Sequence, residues 1–107
     1  MNETREELLF KAQRLRAKYP DRIPVVIVPE KNLVVHKTKL LVPKNISFSN
    51  LVATIRTHME CKSHEAIYCM VNNILPPNTA LIQTVYNDHC LQDGVMYVHV
   101  KKETTFG

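Results

Sequence analysis

The chain has 107 residues, which is enough to bury one hydrophobic core and too few for two domains. Hydrophobic residues make up 45% and charged residues 22%, a balance that is typical of globular proteins and argues against disorder. The net charge of +4 is uneven, because residues 1–56 hold 11 basic and 5 acidic side chains whereas residues 57–107 hold 3 and 5. The basic portion is compatible with an ordinary solvated face, or with binding to an acidic peptide, an anionic membrane or a nucleic acid.

Targeting signals and paired cysteines are both missing from the sequence. It contains no run of about 18 apolar residues, and its first residues are acidic where a signal peptide would be basic. We therefore expect a cytoplasmic protein. Cys61, Cys69 and Cys90 are odd in number and include no C-x-x-C pair, which indicates reduced thiols with no disulfide framework and no zinc ribbon. We expect no metal and no cofactor.

The first predicted element is a helix over Arg5–Lys18. Thr4 and Glu7 have the spacing of a capping box, in which each side chain accepts a hydrogen bond from the backbone of the other. Pro20 disfavours a helical conformation of the residue before it and so ends the helix.

Two strands are predicted next. Ile23–Pro29 is apolar without alternation, as expected of a central strand that is covered on both faces. Lys37–Val42 begins with charged residues, which suit a sheet edge because lysines there discourage indiscriminate pairing.

The remaining elements complete an α+β order. The sequence predicts a helix capped by Ser47 or Ser49, a strand over Ile67–Val71, a short helix from about Asn78 or Thr79, and a last strand over Val95–Val100. Two strands, a helix and two further strands form the order of a ubiquitin-like β-grasp. We expect a four-stranded mixed sheet, its first and last strands parallel at the centre, with an N-terminal helical extension.

Four stretches of the chain are more specific than this order. They are A-K-Y-P-D-R-I-P-V at Ala17–Val25, L-V-P at Leu41–Pro43, V-N-N-I-L-P-P at Val71–Pro77, and D-G-V-M-Y-V followed by a final T-F-G. Together they resemble the ubiquitin-like autophagy modifiers of the autophagy-related protein 8 family, of the GABARAP and microtubule-associated light chain 3 type. The resemblance implies one domain over 1–107, with a helical extension at 1–18, a β-grasp core at 19–100 and a flexible tail at 101–107.

The resemblance also implies that Gly107 is the site of conjugation to phosphatidylethanolamine. A glycine carboxylate is the least hindered acyl donor in a polypeptide, because no Cβ stands beside it. The implied partners are the activating and conjugating enzymes of the autophagy ubiquitin-like system and, after conjugation, a phosphatidylethanolamine membrane of an autophagosome or another vesicle.

The family's second activity is to bind peptides of the form aromatic-x-x-aliphatic, carried by cargo receptors and adaptors, as an added strand at a sheet edge. By resemblance the aromatic pocket would be lined by Leu15, Pro24, Val26, Lys39, Leu41 and Val95. The aliphatic pocket would be lined by Leu40, Val42, Pro43, Ile46, Leu51 and Ile55. The charges flanking the peptide would come from Lys37, Lys39, Lys11 and Arg22.

Ordinary structural roles compete with these assignments. Leu51 and Ile55 could equally be core residues, Lys37 and Lys39 could belong to a solvated edge, and Arg22 could form a structural ion pair. The segment before Tyr19 is short, so the family's outermost helix is expected to be curtailed. Where many relatives have an acidic residue the chain has Lys11, which favours acidic ligands.

Three alternatives to a lipid-conjugated modifier remain open. One is a modifier of the autophagy-related protein 12 type, which is attached to a protein lysine. Another is a basic nucleic-acid-binding module, although the chain has no Trp and no aromatic platform among its basic residues. The last is an enzyme that uses Cys90 with His89, or Cys61 with His64; we expect no enzymatic activity, because residues adjacent in sequence need not face one substrate.

Overall fold

The fold is a four-stranded sheet with helices on both faces. The computed structural model describes residues 4–60, 65–89 and 94–103. In chain order they form α1 (Arg5–Lys18), β1 (Arg22–Pro29), β2 (Lys39–Pro43), α2 (Phe48–Thr57), β3 (Ile67–Met70), α3 (Ile82–His89) and β4 (Met96–Lys102). The strand order is β2-β1-β4-β3, and β1 and β4 are parallel. This confirms the predicted mixed sheet with parallel central strands.

The N-terminal helix begins and ends as the sequence predicts. The Glu7 backbone N–H donates to Thr4 Oγ1 and the Thr4 N–H donates to Glu7 Oε1, both at 3.1 Å, which completes the capping box. These hydrogen bonds with Thr4 lower the pKa of Glu7. At the other end, the Tyr19 N–H donates to the Leu15 carbonyl at 2.7 Å.

The core lies between one face of the sheet and helices α2 and α3. Alternate residues of each strand point to this face because side chains alternate along a strand. The buried residues are Ile23, Val25, Ile27 and Val42 of β1 and β2, Phe48, Leu51 and Ile55 of α2, Cys69 of β3, Ile82 and Val85 of α3, and Met96, Val98 and Val100 of β4, with Met59 and Val71. No helix in the described ranges is long and apolar enough to cross a membrane.

Two prolines lie in the central strand β1 without costing a ladder hydrogen bond. The Ile27 N–H donates to the Thr38 carbonyl. The backbone N–H and carbonyl groups of the odd-numbered residues of β1 therefore point toward β2, and those of the even-numbered residues point toward β4. The backbone nitrogen of Pro24 is on the β4 side, but Pro24 precedes the pairing with that strand, which starts at Val25. Pro29 faces β2 after the pairing with that strand has ended at Val26. Both therefore occupy positions where a missing N–H is harmless.

Strand β2 begins at Lys39, two residues later than predicted, so Lys37 lies before the strand. The preceding segment pairs elsewhere: Val35 forms a bridge with Met59, and the His36 N–H donates to the His58 carbonyl at 2.7 Å. This second pairing draws the chain away from β1 until Thr38, which explains the later start.

Several other boundaries also differ from the prediction, and three of the differences have a clear cause. Helix α3 begins at Ile82, because residues 78–81 form a turn whose Leu81 bridges Ser47. Strand β3 ends at Met70, since Val71 bridges Ile74 across a turn in which Asn72 and Asn73 have positive φ. The last strand continues to Lys102, two residues into the predicted tail, because it pairs with β3 there. Of the two candidate N-caps of α2, Ser47 is the one observed, and its hydroxyl accepts a hydrogen bond from the Asn50 N–H.

Candidate functional site

An apolar cavity of about 180 Å³ lies between α1 and the sheet face opposite the core. All six residues assigned to the aromatic pocket line it, together with four others. Its lining consists of Lys11, Ala12, Leu15, Pro24, Val25, Val26, Lys39, Leu40, Leu41 and Val95. The cavity is large enough for part of an aromatic side chain, and its walls come from α1, β1, β2 and Val95, the residue before β4.

Arg16 fixes the helix that forms one wall of this cavity. Its Nη1 donates to the Arg22 carbonyl at 2.7 Å, which joins α1 to the start of β1. Its guanidinium lies over the Tyr86 ring, 5.3 Å from the centroid, and the Tyr86 hydroxyl donates to the Gly94 carbonyl at 2.8 Å. A cation over an aromatic ring is attracted to its negative face. One side chain therefore connects α1, β1 and α3 beside the cavity.

The cavity opens beside an edge strand. Strand β2 has β1 on one side and no strand of the described residues on the other. Hydrogen-bonded pairs alternate in an antiparallel ladder, and Ile27 with Thr38 is such a pair. It follows that Leu41 turns its N–H and carbonyl away from β1. Arg22 Nη1 reaches that carbonyl at 3.4 Å, a long and weak hydrogen bond.

The six residues of the predicted aliphatic pocket divide into two groups. Leu40, Pro43 and Ile46 are partly exposed and lie at or just beyond β2. Leu51 and Ile55 of α2 have 0% exposure and Val42 of β2 has 5%, since all three belong to the core between the sheet and α2. For Leu51 and Ile55 the structure corrects the pocket assignment: both are core residues with no surface for a ligand to contact. The pocket role of the other residues stays a prediction.

The basic side chains are divided between the cavity and its surroundings. Lys11 and Lys39 line the cavity itself, whereas Lys37 is exposed ahead of β2. A second cavity of about 360 Å³ shares two residues with the first and is lined by Lys11, Arg14, Leu15, Lys18 and Tyr19. Arg22 contacts backbone oxygen, and the ion pair beside it joins Asp21 to Lys44, with Nζ and Oδ1 3.7 Å apart. The charged side chains that line the two cavities are all basic.

Cys69 has none of the features of a nucleophile. It is a free, buried thiol with 3% exposure, and burial raises its pKa from 9.0 to about 11. Cys61, His64 and Cys90 lie outside the described residues. His89 is described and lines a polar cavity of about 180 Å³ with Val71, Asn72, Asn73, Tyr97 and His99. Within the described ranges, no three His, Cys, Asp or Glu side chains group as metal ligands do.

Gly107 also lies outside the described residues, so its assignment stays a prediction.

Among the cavity residues, the sequence reasoning missed Ala12 as part of the site. Its signal was present, because a small residue three positions before Leu15 on the same helix face lets the helix approach the sheet closely. Val25 and Leu40 also line this cavity, although the resemblance assigned Leu40 to the aliphatic pocket and Val25 to neither pocket.

Comparisons with known proteins agree with one another. The family profile described as "Autophagy protein Atg8 ubiquitin like" matches residues 7–107. Autophagy-related protein 8 of Schizosaccharomyces pombe is 38% identical over 105 residues, covering 95% of this chain and 87% of the relative. A crystal structure of Trypanosoma brucei ATG8 aligns with a TM-score of 0.85 and 25% identity, over 100% of this chain and 95% of that one. Plasmodium falciparum Atg8, solved in complex with a Plasmodium falciparum Atg3 peptide, aligns with a TM-score of 0.82 and 30% identity, over 97% and 94%.

Proposed function

This chain belongs to the Atg8 family of ubiquitin-like autophagy proteins, and from that premise we propose that it is a modifier conjugated through Gly107 to phosphatidylethanolamine. In this role it is a substrate of other enzymes and has no catalytic activity of its own. It would act in autophagosome formation and in the recruitment of cargo.

The lipid explains how such a protein would stay on a membrane. Each buried CH₂ contributes about 0.8 kcal/mol, and a single acyl chain gives only reversible binding. A diacyl lipid supplies two chains, so the conjugate would remain on the surface of an autophagosome or another vesicle, while the unconjugated protein would be cytoplasmic.

The observation that carries the recruitment function is the apolar cavity beside the edge strand β2. A peptide added to an edge gains backbone hydrogen bonds, and pockets for its alternate side chains give specificity. We propose that the cavity holds the aromatic residue of an aromatic-x-x-aliphatic motif. The aliphatic residue would then lie near Leu40, Pro43 and Ile46.

The conjugating enzyme is a candidate partner for the same surface. A relative, Plasmodium falciparum Atg8, has been solved with an Atg3 peptide bound. We propose that this chain binds the corresponding conjugating enzyme, in addition to receptors and adaptors that carry the motif. Competition between an enzyme peptide and a receptor peptide would follow if both occupy the cavity.

The experiment for conjugation uses the activating and conjugating enzymes of the autophagy system, ATP and liposomes that contain phosphatidylethanolamine. We expect a lipid adduct on the C-terminal peptide by mass spectrometry. Gly107→Ala should reduce its formation strongly, because a Cβ hinders the acyl carbon and its passage through a narrow channel. Glu103→Ala, a change at an exposed position nearby, serves as the control and should conjugate normally.

Normal conjugation of Gly107→Ala would show that another residue is the acyl donor. An adduct on a protein lysine in place of the lipid would indicate a modifier of the autophagy-related protein 12 type. Binding of nucleic acid at near-physiological salt would favour the alternative basic module.

A further inference from the structure

A polar cavity near the β3 side of the sheet has no part in the proposed conjugation or peptide binding. It has a volume of about 180 Å³ and lies where the turn after β3, the end of α3 and β4 meet. Its lining consists of Val71, Asn72, Asn73, His89, Tyr97 and His99. None of these residues lines either of the two cavities beside α1, so this is a separate site.

Alternation along β4 directs two aromatic rings to this cavity. Met96, Val98 and Val100 are buried in the core. The side chains of Tyr97 and His99, which lie between them in the strand, therefore point to the opposite face of the sheet. The two rings stand one after the other on that face and form one wall of the cavity.

Two asparagines supply amide groups to the same cavity. Asn72 and Asn73 have φ of 53° and 63°, in a tight turn that is closed by hydrogen bonds of 2.9 and 3.0 Å between Val71 and Ile74. Asparagine tolerates this left-handed conformation better than most residues other than glycine. The turn therefore holds both amides at the cavity, and His89, the last residue of α3, adds a third ring.

The chemistry of this lining matches a flat, hydrogen-bonding ligand. It combines three rings with two amides, and its described residues include no Asp, Glu, Lys or Arg. Tyr and His rings stack on planar bases, and an amide side chain presents a donor beside an acceptor. An unpaired nucleobase uses both features. A metal ion fits less well, because no three His, Cys, Asp or Glu side chains of the described residues group as ligands.

We propose that this cavity binds an unpaired nucleobase, which stacks on the ring of His99 and forms hydrogen bonds with the amides of Asn72 and Asn73. The cavity is smaller than the roughly 300–1,000 Å³ of pockets that enclose drug-sized ligands, so it holds the base and leaves the ribose and phosphate outside. Asparagine amides pair with N6 and N7 of adenine, which makes adenine the first base to test. The inference is independent of conjugation at Gly107.

The sheet face beside the cavity offers contacts to a longer ligand. Cys69 of β3 points into the core, so the preceding Tyr68 points to the same face as His99. Tyr68 is 37% exposed and stands opposite Lys101, which is also exposed. Lys101 lies two positions, roughly 7 Å, beyond His99 along β4. In a single-stranded nucleic acid, a second base would stack on Tyr68 and a phosphate would contact Lys101, so a strand would bind more tightly than a free nucleotide.

The test titrates the isotope-labelled chain with adenosine monophosphate at near-physiological salt and follows its backbone and side-chain amide resonances by NMR. We expect shifts at Asn72, Asn73, His89 and His99. Ribose 5-phosphate has the same sugar and a phosphate but no base, and should leave these resonances unchanged. Equal shifts with ribose 5-phosphate would overturn the proposal, as would shifts confined to the basic residues beside α1 or no shifts at all.

Substitutions in the cavity test the roles of the ring and the amides separately. His99→Ala should weaken binding of adenosine monophosphate about tenfold, because a stacked ring is lost, whereas His99→Phe should keep most of the affinity. Asn73→Gly removes an amide without straining the left-handed backbone, and should weaken binding several-fold. His36→Ala removes an imidazole outside the cavity, 2.8 Å from Glu60 Oε2, and should have no effect. Unchanged affinity in His99→Ala or in Asn73→Gly would overturn the proposal.

A single-stranded oligoadenylate distinguishes the two sources of a nucleobase. Tighter binding than that of adenosine monophosphate, with further shifts at Tyr68 and Lys101, would identify a single-stranded nucleic acid as the ligand. Equal affinity without those shifts would identify a free nucleotide. Both results support a base in the cavity, provided that His99→Ala weakens binding in each case; retention of oligoadenylate binding by this variant would overturn the proposal.

Discussion

At the scale of single residues, burial decides which side chains are available for chemistry. Cys69 lies in an apolar stretch of β3 and packs among core residues with 3% exposure. Desolvation disfavours the thiolate, which raises the pKa of the thiol to about 11, although the positive charge of Arg56 acts in the opposite direction. Since the thiolate is the nucleophile, a catalytic role for this cysteine has no physical basis.

The raised pKa of Cys69 predicts how stability depends on pH. In the folded state this pKa lies above the unfolded value of 9.0, so its contribution is complete below pH 9 and is lost as pH rises toward about 11. The free energy of unfolding, measured by urea denaturation between pH 8 and 11, should therefore fall less steeply for Cys69→Ala. Cys61 and Cys90 are present in both proteins, so their titration cancels in the comparison. Parallel pH profiles would show that the Cys69 thiol is not desolvated as described.

At the scale of the elements, β2 carries most of the proposed recognition. The backbone groups of Leu40 and Val42 point toward β1 and pair with it. Leu41 directs its N–H away from β1 and its side chain into the cavity. Pro43 occupies an outward position of the same strand, where the lack of an N–H does not affect the ladder. The backbone groups that pair with β1 and those that could pair with an added strand thus belong to alternate residues of β2.

This alternation predicts different effects for two substitutions of Leu41. Leu41→Ala should weaken binding of an aromatic-x-x-aliphatic peptide about tenfold, because apolar contact area in the cavity is lost. Leu41→Pro should weaken it further, by about fivefold, since the outward N–H can no longer pair with the added strand. Isothermal titration gives the two affinities, and urea denaturation checks that both variants stay folded. Equal affinities for the two variants would contradict strand addition at this edge.

At the scale of the whole molecule, several basic side chains lie together at the apolar cavity and the larger cavity next to it. Lys11 lines both the apolar cavity and the larger one next to it, where Arg14 and Lys18 also lie. Complementary charge mainly raises the association rate and the specificity, and salt screens it. A ligand with acidic residues beside its aromatic residue should therefore associate faster at low salt.

The prediction at this scale concerns Lys11→Glu. We expect association with an acidic-flanked peptide to slow several-fold at low ionic strength, and the difference from the unsubstituted chain to shrink near 1 M salt, where the Debye length is about 3 Å. Lys31→Glu changes the net charge by the same amount at an exposed position outside both cavities, and should have a smaller effect. Stopped-flow fluorescence measures the rates. Equal slowing by both variants would mean that overall charge, and not the groove, steers the ligand.

The sequence by itself determined the order of elements and the family, because these follow from local signals; the parallel centre of the sheet followed from recognising that order as a β-grasp. The Thr4–Glu7 capping box, the unbroken apolar run of β1 and the four motif stretches can each be recognised without a neighbour in space. Through the resemblance it also assigned six residues to one pocket, and these six are among the ten that line the apolar cavity; their role in peptide binding stays a prediction. The chemistry at Gly107 stays a prediction.

Only the tertiary structure decided the matters that depend on contacts between distant residues. The later start of β2 follows from the pairing of residues 34–36 with residues 58–60, which no local sequence pattern predicts. Apolar side chains such as Leu51 and Ile55 look the same in sequence whether they line a pocket or a core; packing of α2 against the sheet places them in the core. Likewise Glu30 and Lys102 are 72 positions apart, and their hydrogen bond exists because β1 and β4 lie side by side.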